Sequence, residues 1–572
     1  MLNARLYRIS WLIAGAALIV ALLTLRPASG SAPDPVLPPT FDGRSALALA
    51  GELALRAPER PPGSEGDVVA ADWVQRMLAA VPGGRGRVGR QDFVVRSGGQ
   101  TYHLRNVYMA VPAAPGSSLG SSVVVVAPRD TPAGVTGGTS GTAILVELAR
   151  LSATTTLQHP LLVVSTDGST LGNAGIRWFL HRFSGTAIAG AIVLDAPGEA
   201  TGTKVSIWSF GRSRGRSLAM VRLAEHAIER AGGRPDGHER LLTQLLRLGV
   251  PQTFGDQGAL VAAGVPAVTL AGRSDAPLRT GPPPTEARMA MVGNAAETLL
   301  GSLDAGDRVA GPTTALQLTG KVLWPGAARV LLLLLALPLL VSAVDVLARL
   351  RRARVPLVPG LRAVAWRAAP PLAGLIAAQL LVIAGALPGA AVGAPPLPDA
   401  VPFDALAGLS IALVAVAALA AWKLAGVRRQ RLAATPSGEA VAALVALSAL
   451  VLALWWTHPY TLALVLPIAH AGLLATAAPR RWHLGALAAL ALAPLAALTL
   501  LTAGQLDRNP LFAAWYLLVT AVDGARSIPG AVASILIAAC VWSLARFVIF
   551  RARKGLVKGR AAPAQPAPAA KD

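Results

Sequence analysis

A single cysteine, Cys540, occurs in 572 residues, so no disulfide can form within the chain and any domain outside a membrane must be held by its own core. Cys540 lies inside the last hydrophobic run and reads as a small apolar packing residue. Charge is also scarce: 14% of residues are charged and 53% are hydrophobic, which excludes an ordinary soluble protein. Acidic residues number 30 against 52 Lys and Arg, giving a net charge of +22. No nucleic-acid-binding motif accompanies that excess, and no nucleic-acid partner is expected. Nor does a row of charged residues thread the hydrophobic runs, which argues against a transporter, while a transporter-associated subunit stays open as a second alternative.

The apolar excess is concentrated after about residue 323, in Ala/Leu/Val runs close to the roughly 20 residues needed to cross a bilayer. Seven spans are predicted there, at about 330–347, 368–386, 406–424, 441–456, 462–477, 484–501 and 531–549. Another apolar stretch, 9–25, follows the basic Arg5 and Arg8. Two readings compete for it. The small residues at 28–32 would suit a signal peptidase, whereas the length of the run favours a retained anchor, giving eight spans in all. The basic clusters flank the runs: Arg349, Arg351, Arg352 and Arg354; Lys423, Arg428, Arg429 and Arg431; Arg480 and Arg481; Arg551, Arg553, Lys554, Lys558 and Arg560. With eight spans every cluster falls in the cytoplasm beside membrane lipid. That count requires 511–522 to be re-entrant or interfacial, and the nearby Asp523 and Arg526 agree.

The expected organisation is a cytoplasmic N-terminus (1–8), a signal anchor (9–26), an extracytoplasmic domain (33–310), a bundle of about seven transmembrane helices (323–550) and a disordered cytoplasmic tail (551–572), in the cell membrane. Within the expected extracytoplasmic domain, buried strands at 122–127, 160–166, 189–194 and 267–270 alternate with helices at 140–151, 173–183, 216–231 and 286–303, and a further helix precedes them at 70–80. That alternation predicts an α/β domain with a mostly parallel sheet and helices on both faces. Asp130, Asp167 and Asp195 all fall at C-terminal strand ends, where such sheets place their sites.

The order of motifs resembles the di-zinc aminopeptidases of metallopeptidase family 28. Arg60-Pro61-Pro62-Gly63 looks like that family's N-terminal Arg-x-Pro-Gly, and Asn106-Val107 like its strand beginning with asparagine. Pro128-Arg129-Asp130 stands where the family has His-x-Asp. Gly134 to Gly141 stands where it has Gly-Ala-x-Asp-Asn-x-Ser-Gly, Asp167 to Gly172 where it has Asp-Gly-Glu-Glu-x-Gly, and Gly264-Val265-Pro266-Ala267 matches its Gly-(Ile/Val)-Pro-Ala. The resemblance implies a zinc-aminopeptidase-like fold, and it implies a degenerate site. The first histidine position is Pro128, the bridging aspartate is Gly137, the glutamate pair is Ser169-Thr170, and no histidine occurs at 278–284. Of the implied zinc ligands only Asp195 is left, with Asp130 and Asp167 around it. A zinc pair needs a bridging carboxylate, further ligands on each ion and a carboxylate base. The expectation is therefore a pseudopeptidase without metal or other cofactor and without catalytic residues, which binds a peptide, a lipid-linked group or a partner protein. A metallo-aminopeptidase with a rearranged site is the alternative.

Without metal, Asp195 needs a donor; Thr136, Ser169 and Thr170 hydroxyls, the Gly137 and Gly138 amides and Arg129 are the candidates. Ser140 reads as a helix N-cap rather than a nucleophile. His103, His159, His181, His226 and His238 read as structural. In the bundle, His470 is expected to be hydrogen-bonded, Asp345 to pair with Arg349, Arg367 and Lys423 to reach the span ends, and Trp455, Trp456 and Tyr460 to form an outer aromatic belt. The anchor, peptidase-like domain and spans together resemble the plan of the peptidase-like subunit of the eukaryotic GPI transamidase, shared with bacterial membrane proteins and with endoplasmic-reticulum metallopeptidases that keep their ligands. The Ala/Arg-rich composition points to a GC-rich bacterium, so the architecture carries over and the reaction does not.

Overall fold

The structure is a computed structural model that describes residues 2–23, 25–27, 38–82, 86–97, 99–117, 119–211, 215–236, 239–306, 309–318, 321–387, 395–432, 434–477, 481–522 and 528–560. The expectations for the cleavage-like segment 28–32, His238, Arg480, Asp523, Arg526 and the tail from 561 lie outside these residues. So do the side chains of Arg481, Arg553, Lys554, Lys558 and Arg560.

The α/β domain is built on an eight-stranded sheet. Its spatial order is Arg87–Ser97, Gln100–Val111, Leu161–Thr166, Ser122–Pro128, Ile188–Asp195, Ala267–Ala271, Lys204–Trp208 and Arg234–Pro235. The four middle strands, from Leu161–Thr166 to Ala267–Ala271, run parallel. They form because they are short β-branched runs that can be buried on both faces. Val123, Val125 and Val163 face one core with Ile144, Leu148 and Leu299, while Val124, Val126 and Val164 face another with Ile176, Phe179 and Leu260. Burying each such side chain stabilises the domain by roughly 1.5–3 kcal/mol.

The expected strands and helices are present with shifted ends: Ser140–Thr154, Ala174–Arg182, Leu218–Arg230 and Glu286–Asp304 are the helices, and the earlier one is Glu65–Ala79 rather than 70–80. The sheet is less uniformly parallel than expected. Arg87–Ser97 and Gln100–Val111 make an antiparallel hairpin on one edge, and Lys204–Trp208 runs antiparallel to Ala267–Ala271. Asn106 sits in the middle of its strand rather than at the start.

Among the described residues six helices are long and apolar enough to cross a membrane: Pro325–Arg352, Leu357–Ile383 (broken at Ala368), Ala405–Gln430, Pro436–Thr457, Trp482–Leu506 and Pro529–Arg551. Two expected spans differ. Pro459–Ala475 is an apolar helix of only 17 residues, and Ala4–Leu23 packs along Pro325–Arg352 without being among the six. Pro510–Val522 has 13 residues, about 20 Å of helix, too short for a roughly 30 Å core.

The bundle has two distinct ends. At one, Tyr460 donates to the Thr314 carbonyl and Thr461 Oγ1 to the Gly249 carbonyl at 2.9 Å, so this end carries the α/β domain. Trp455 lies here too, its indole donating to the Arg329 carbonyl at 2.9 Å. At the other end, Arg551 donates to the Thr476 carbonyl and Arg349 pairs with Asp345. Between them His470 is buried, its Nδ1 3.0 Å from the Tyr7 hydroxyl and its Nε2 3.0 Å from the Leu335 carbonyl. Arg367 differs from expectation: its guanidinium does not reach out of the bundle but is buried against Glu439.

Candidate functional site

The parallel strands end together, and each expected site residue is found at that edge. Pro128 closes its strand in register with Thr166, and the Arg129 amide donates to the Thr166 carbonyl at 3.1 Å. The next side chain, Arg129, is fully enclosed and bracketed by two carboxylates. Its Nε lies 2.9 Å from Asp67 Oδ1 on the Glu65–Ala79 helix, and its Nη2 lies 3.2 Å from Asp167 Oδ2. Its remaining donors meet the carbonyls of Ser165 and Arg105. Asp167 also accepts from the Arg105 amide at 2.8 Å, while its own amide donates to Asn106 Oδ1 at 3.1 Å. Burial raises the Asp167 carboxyl well above its ordinary range, against the opposing pull of Arg129.

Asp130 turns to the neighbouring loop. It accepts from the Ser169 amide at 2.9 Å, the Thr170 amide at 3.0 Å and the Thr170 hydroxyl at 2.9 Å. The Thr170 hydroxyl is thereby committed to Asp130, and Ser169 meets the same carboxylate through its amide. Gly137 has φ of 91°, with open space where a Cβ would project, so a side chain there would fit the space but strain the backbone. Its carbonyl accepts from Arg60 Nη2. The rest of the Arg60 guanidinium donates to the Arg129 carbonyl at 2.7 Å and the Ala57 carbonyl at 2.6 Å. With no carboxylate in direct contact, burial lowers the Arg60 pKa to about 10. The segment 278–284 does reach this place: Leu278 abuts Gly138, and the Thr136 amide donates to Thr280 Oγ1 at 3.3 Å.

Asp195 has a partner that none of the expected donors provides. Arg273 Nη2 lies 3.0 Å from each carboxylate oxygen, and its Nη1 lies 3.3 Å from the Asp195 carbonyl. The guanidinium sits 5.1 Å over the Trp208 ring, whose Nε1 donates to the Arg273 carbonyl at 2.9 Å. Arg129, a candidate for this role, does turn inward but serves Asp67 and Asp167 instead. Ala196, next in the chain, takes a left-handed φ of 47°, a strained conformation for alanine.

Ser140 also departs from expectation. Thr139 is the residue before the helix, and Ser140 is its first residue, with both its amide and its hydroxyl donating to Glu199. The Gly198 amide donates to Ser140 Oγ at 2.9 Å. Glu199 therefore takes the capping role, since a carboxylate there meets the free N–H groups and the positive end of the helix dipole. Ser140 is buried and committed, so it offers no exposed nucleophile.

Asp256 lies close by and was not anticipated. It is fully buried, accepts from Thr166 Oγ1 at 2.7 Å and Asn173 Nδ2 at 3.0 Å, and burial raises its pKa to about 7. Among the histidines, His159 is tied at the opposite edge to the carbonyls of Ser121 and Gly306. Among the described residues no group of three or more His, Cys, Asp or Glu could hold a metal ion. Beside Arg273 opens a cleft of about 610 Å³ lined by Glu199, Lys204, Ser206 and Arg273. Its lining offers both signs of charge. The loop leaving Arg273 also touches the bundle: Ser274 Oγ donates to the Gln505 carbonyl at 3.3 Å, and Arg279 pairs with Asp507 at 3.2 Å.

The chain is similar to solved glutaminyl cyclases and zinc aminopeptidases. The glutaminyl cyclase of Fimbriiglobus ruber is 18% identical, with a TM-score of 0.39 over 48% of this chain and 99% of that one. BSAP, a zinc aminopeptidase from Bacillus subtilis, is 10% identical, with a TM-score of 0.37 over 46% and 95%. The Bacteroides thetaiotaomicron glutaminyl cyclase bound to N-acetylhistamine is 15% identical, with a TM-score of 0.36 over 46% and 98%. No family model and no curated protein matches the chain.

The residues that sequence reasoning missed are Arg273, Asp67, Glu199 and Asp256. Arg273 had one available signal, since it lies two residues beyond the strand Ala267–Ala271, at the same sheet edge as Asp130 and Asp195.

Proposed function

We propose that this is a multi-pass membrane protein whose extracytoplasmic, peptidase-like domain binds its ligand without zinc and without hydrolysing it. The observation that carries this reading is the Asp195–Arg273 pair. The one side chain that the family resemblance would leave as a ligand is held by a guanidinium at 3.0 Å on both oxygens. The other implied positions fit zinc no better. Pro128 has no donor atom to offer, Gly137 has no side chain, and Ser169 and Thr170 serve Asp130. Arg129 and Arg273 supply, from within the chain, the positive charge that the acidic groups at this edge require.

The cleft beside Arg273 suits a ligand carrying both charges, such as a peptide or a peptide-bearing partner protein. Glu199 would meet the ammonium and Lys204 or Arg273 the carboxylate. In the proposed topology the basic end of the bundle is cytoplasmic in the cell membrane, both termini lie there, and residues 33–310 face outward. The test is activity of the full chain in detergent on fluorogenic aminoacyl substrates with added zinc. No release above that of Asp195→Asn is expected; zinc-dependent turnover lost in Asp195→Asn would overturn the reading.

A further inference from the structure

At the bundle end remote from the α/β domain, one carboxylate pairs with two guanidinium groups and lies within the electrostatic reach of a third. Glu439 stands in the first turn of Pro436–Thr457, with a side chain only 5% exposed. Arg367, the last residue of Leu357–Arg367, is 3% exposed and pairs through Nε with Glu439 Oε1. Arg546 Nη1 lies 3.4 Å from Glu439 Oε2, its side chain 55% exposed. Arg429, in the last turn of Ala405–Gln430, is within electrostatic reach of Arg367, Arg546 and Glu439 together. Its Nε meets only its own helix, at the Ala425 carbonyl.

One carboxylate neutralises one of three cations, so the cluster carries excess positive charge. A second observation is independent of that charge. The buried Arg367 Nη2 has no hydrogen-bond partner among the described residues. An enclosed charged donor without an acceptor is costly, and a helix N-terminus beside it favours an anion. The break at Ala368 leaves Arg367 between two helices at the basic end, level with the headgroup layer if the bundle lies in a bilayer.

We propose that Arg367, Arg429 and Arg546 bind the phosphate of an anionic phospholipid headgroup, with Glu439 holding the empty cluster together. Phosphate matches the chemistry: it accepts several charge-assisted hydrogen bonds at once, and arginine forks suit it better than point charges do. Basic pockets between helices at this membrane face recognise such headgroups. The inference rests on the bundle being membrane-embedded, and not on the zinc-free reading of the α/β domain.

The test uses the full chain in nanodiscs of phosphatidylcholine with or without phosphatidylglycerol, with retained lipid measured by native mass spectrometry after extraction into detergent. Phosphatidylglycerol should be retained over phosphatidylcholine by about tenfold. Arg546→Gln and Arg429→Gln should each lower that preference about fivefold, with the melting temperature in phosphatidylcholine unchanged. Equal retention of the two lipids, or a preference that survives both substitutions, would overturn the proposal. Thermal stabilisation by inorganic phosphate in lipid-free detergent, lost in the same variants, would support the phosphate site and assign it to a free ion. Failure to enter nanodiscs at all would instead contradict the membrane reading.

Discussion

Asp256→Asn should make the α/β domain more stable at neutral pH, and the gain should vanish in acid. Asp256 is fully buried among neutral donors, and its pKa is raised to about 7. In the unfolded chain the group titrates near 3.9. Between those values the folded state holds a proton that the unfolded state has lost, so stability from this group falls as pH rises from about 4 to about 7 and is then level. Three pKa units at about 1.4 kcal/mol each give a difference of up to about 4 kcal/mol. An amide removes this dependence while keeping the local bonds: its oxygen can accept from Asn173, and its NH2 can donate to the Thr166 hydroxyl. The assay is thermal unfolding of full-length wild type and variant in one detergent from pH 4 to pH 8. At roughly 2–4 °C per kcal/mol the curves should meet near pH 4 and separate by on the order of 10 °C near pH 8. Curves that stay parallel across the range, or a variant less stable everywhere, would refute the assignment of a buried protonated carboxyl.

Arg129→Met should cost about 3–5 kcal/mol at neutral pH, because it leaves Asp67 and Asp167 buried without their cation, and the loss should shrink in acid as Asp167, whose carboxyl burial already raises, protonates; denaturation at two pH values checks this. Asp195→Asn and Arg273→Gln should each be mild, since the pair is partly exposed, and the double variant should reveal a coupling of about 0.5–3 kcal/mol in a thermodynamic cycle; additive effects would dissolve the pair. Reporter fusions after Arg354 and Arg431 should be cytoplasmic and one within 45–304 external; an external reporter after Arg560 would mean that Pro510–Val522 crosses after all.

The parallel centre of the sheet was legible because Val123 to Val126 form an unbroken β-branched run ending at a proline and an aspartate. The edge hairpin was not, because Arg87, Arg90, Gln91 and Asp92 interrupt the apolar pattern on a strand covered on one face only. Gln257–Ala262 is a helix too short for its periodicity to show. At the site, position told where Asp130, Asp167 and Asp195 would fall, since strand ends are readable from local pattern. Their pairings were not readable, because Asp67 and Arg273 reach this edge across long sequence separations that local pattern does not encode, even where, as for Arg273, a strand end marks the position. Ser140 shows the same limit. A serine opening a helix looks like a cap, and only the fold brings Glu199 to take that role. Arg367 and Glu439 likewise lie 72 residues apart, so an arginine at a span end gave no sign of its buried partner.

The central claim, that guanidinium groups and not zinc hold the acidic edge of this domain, is tested most directly by metal content. The full chain, purified without chelator and dialysed against zinc, would be analysed by inductively coupled plasma mass spectrometry together with its melting temperature. The account predicts no stoichiometric zinc and no shift, since a ligand stabilises only the state it binds. Two zinc ions per chain, lost on Asp195→Asn, would contradict it.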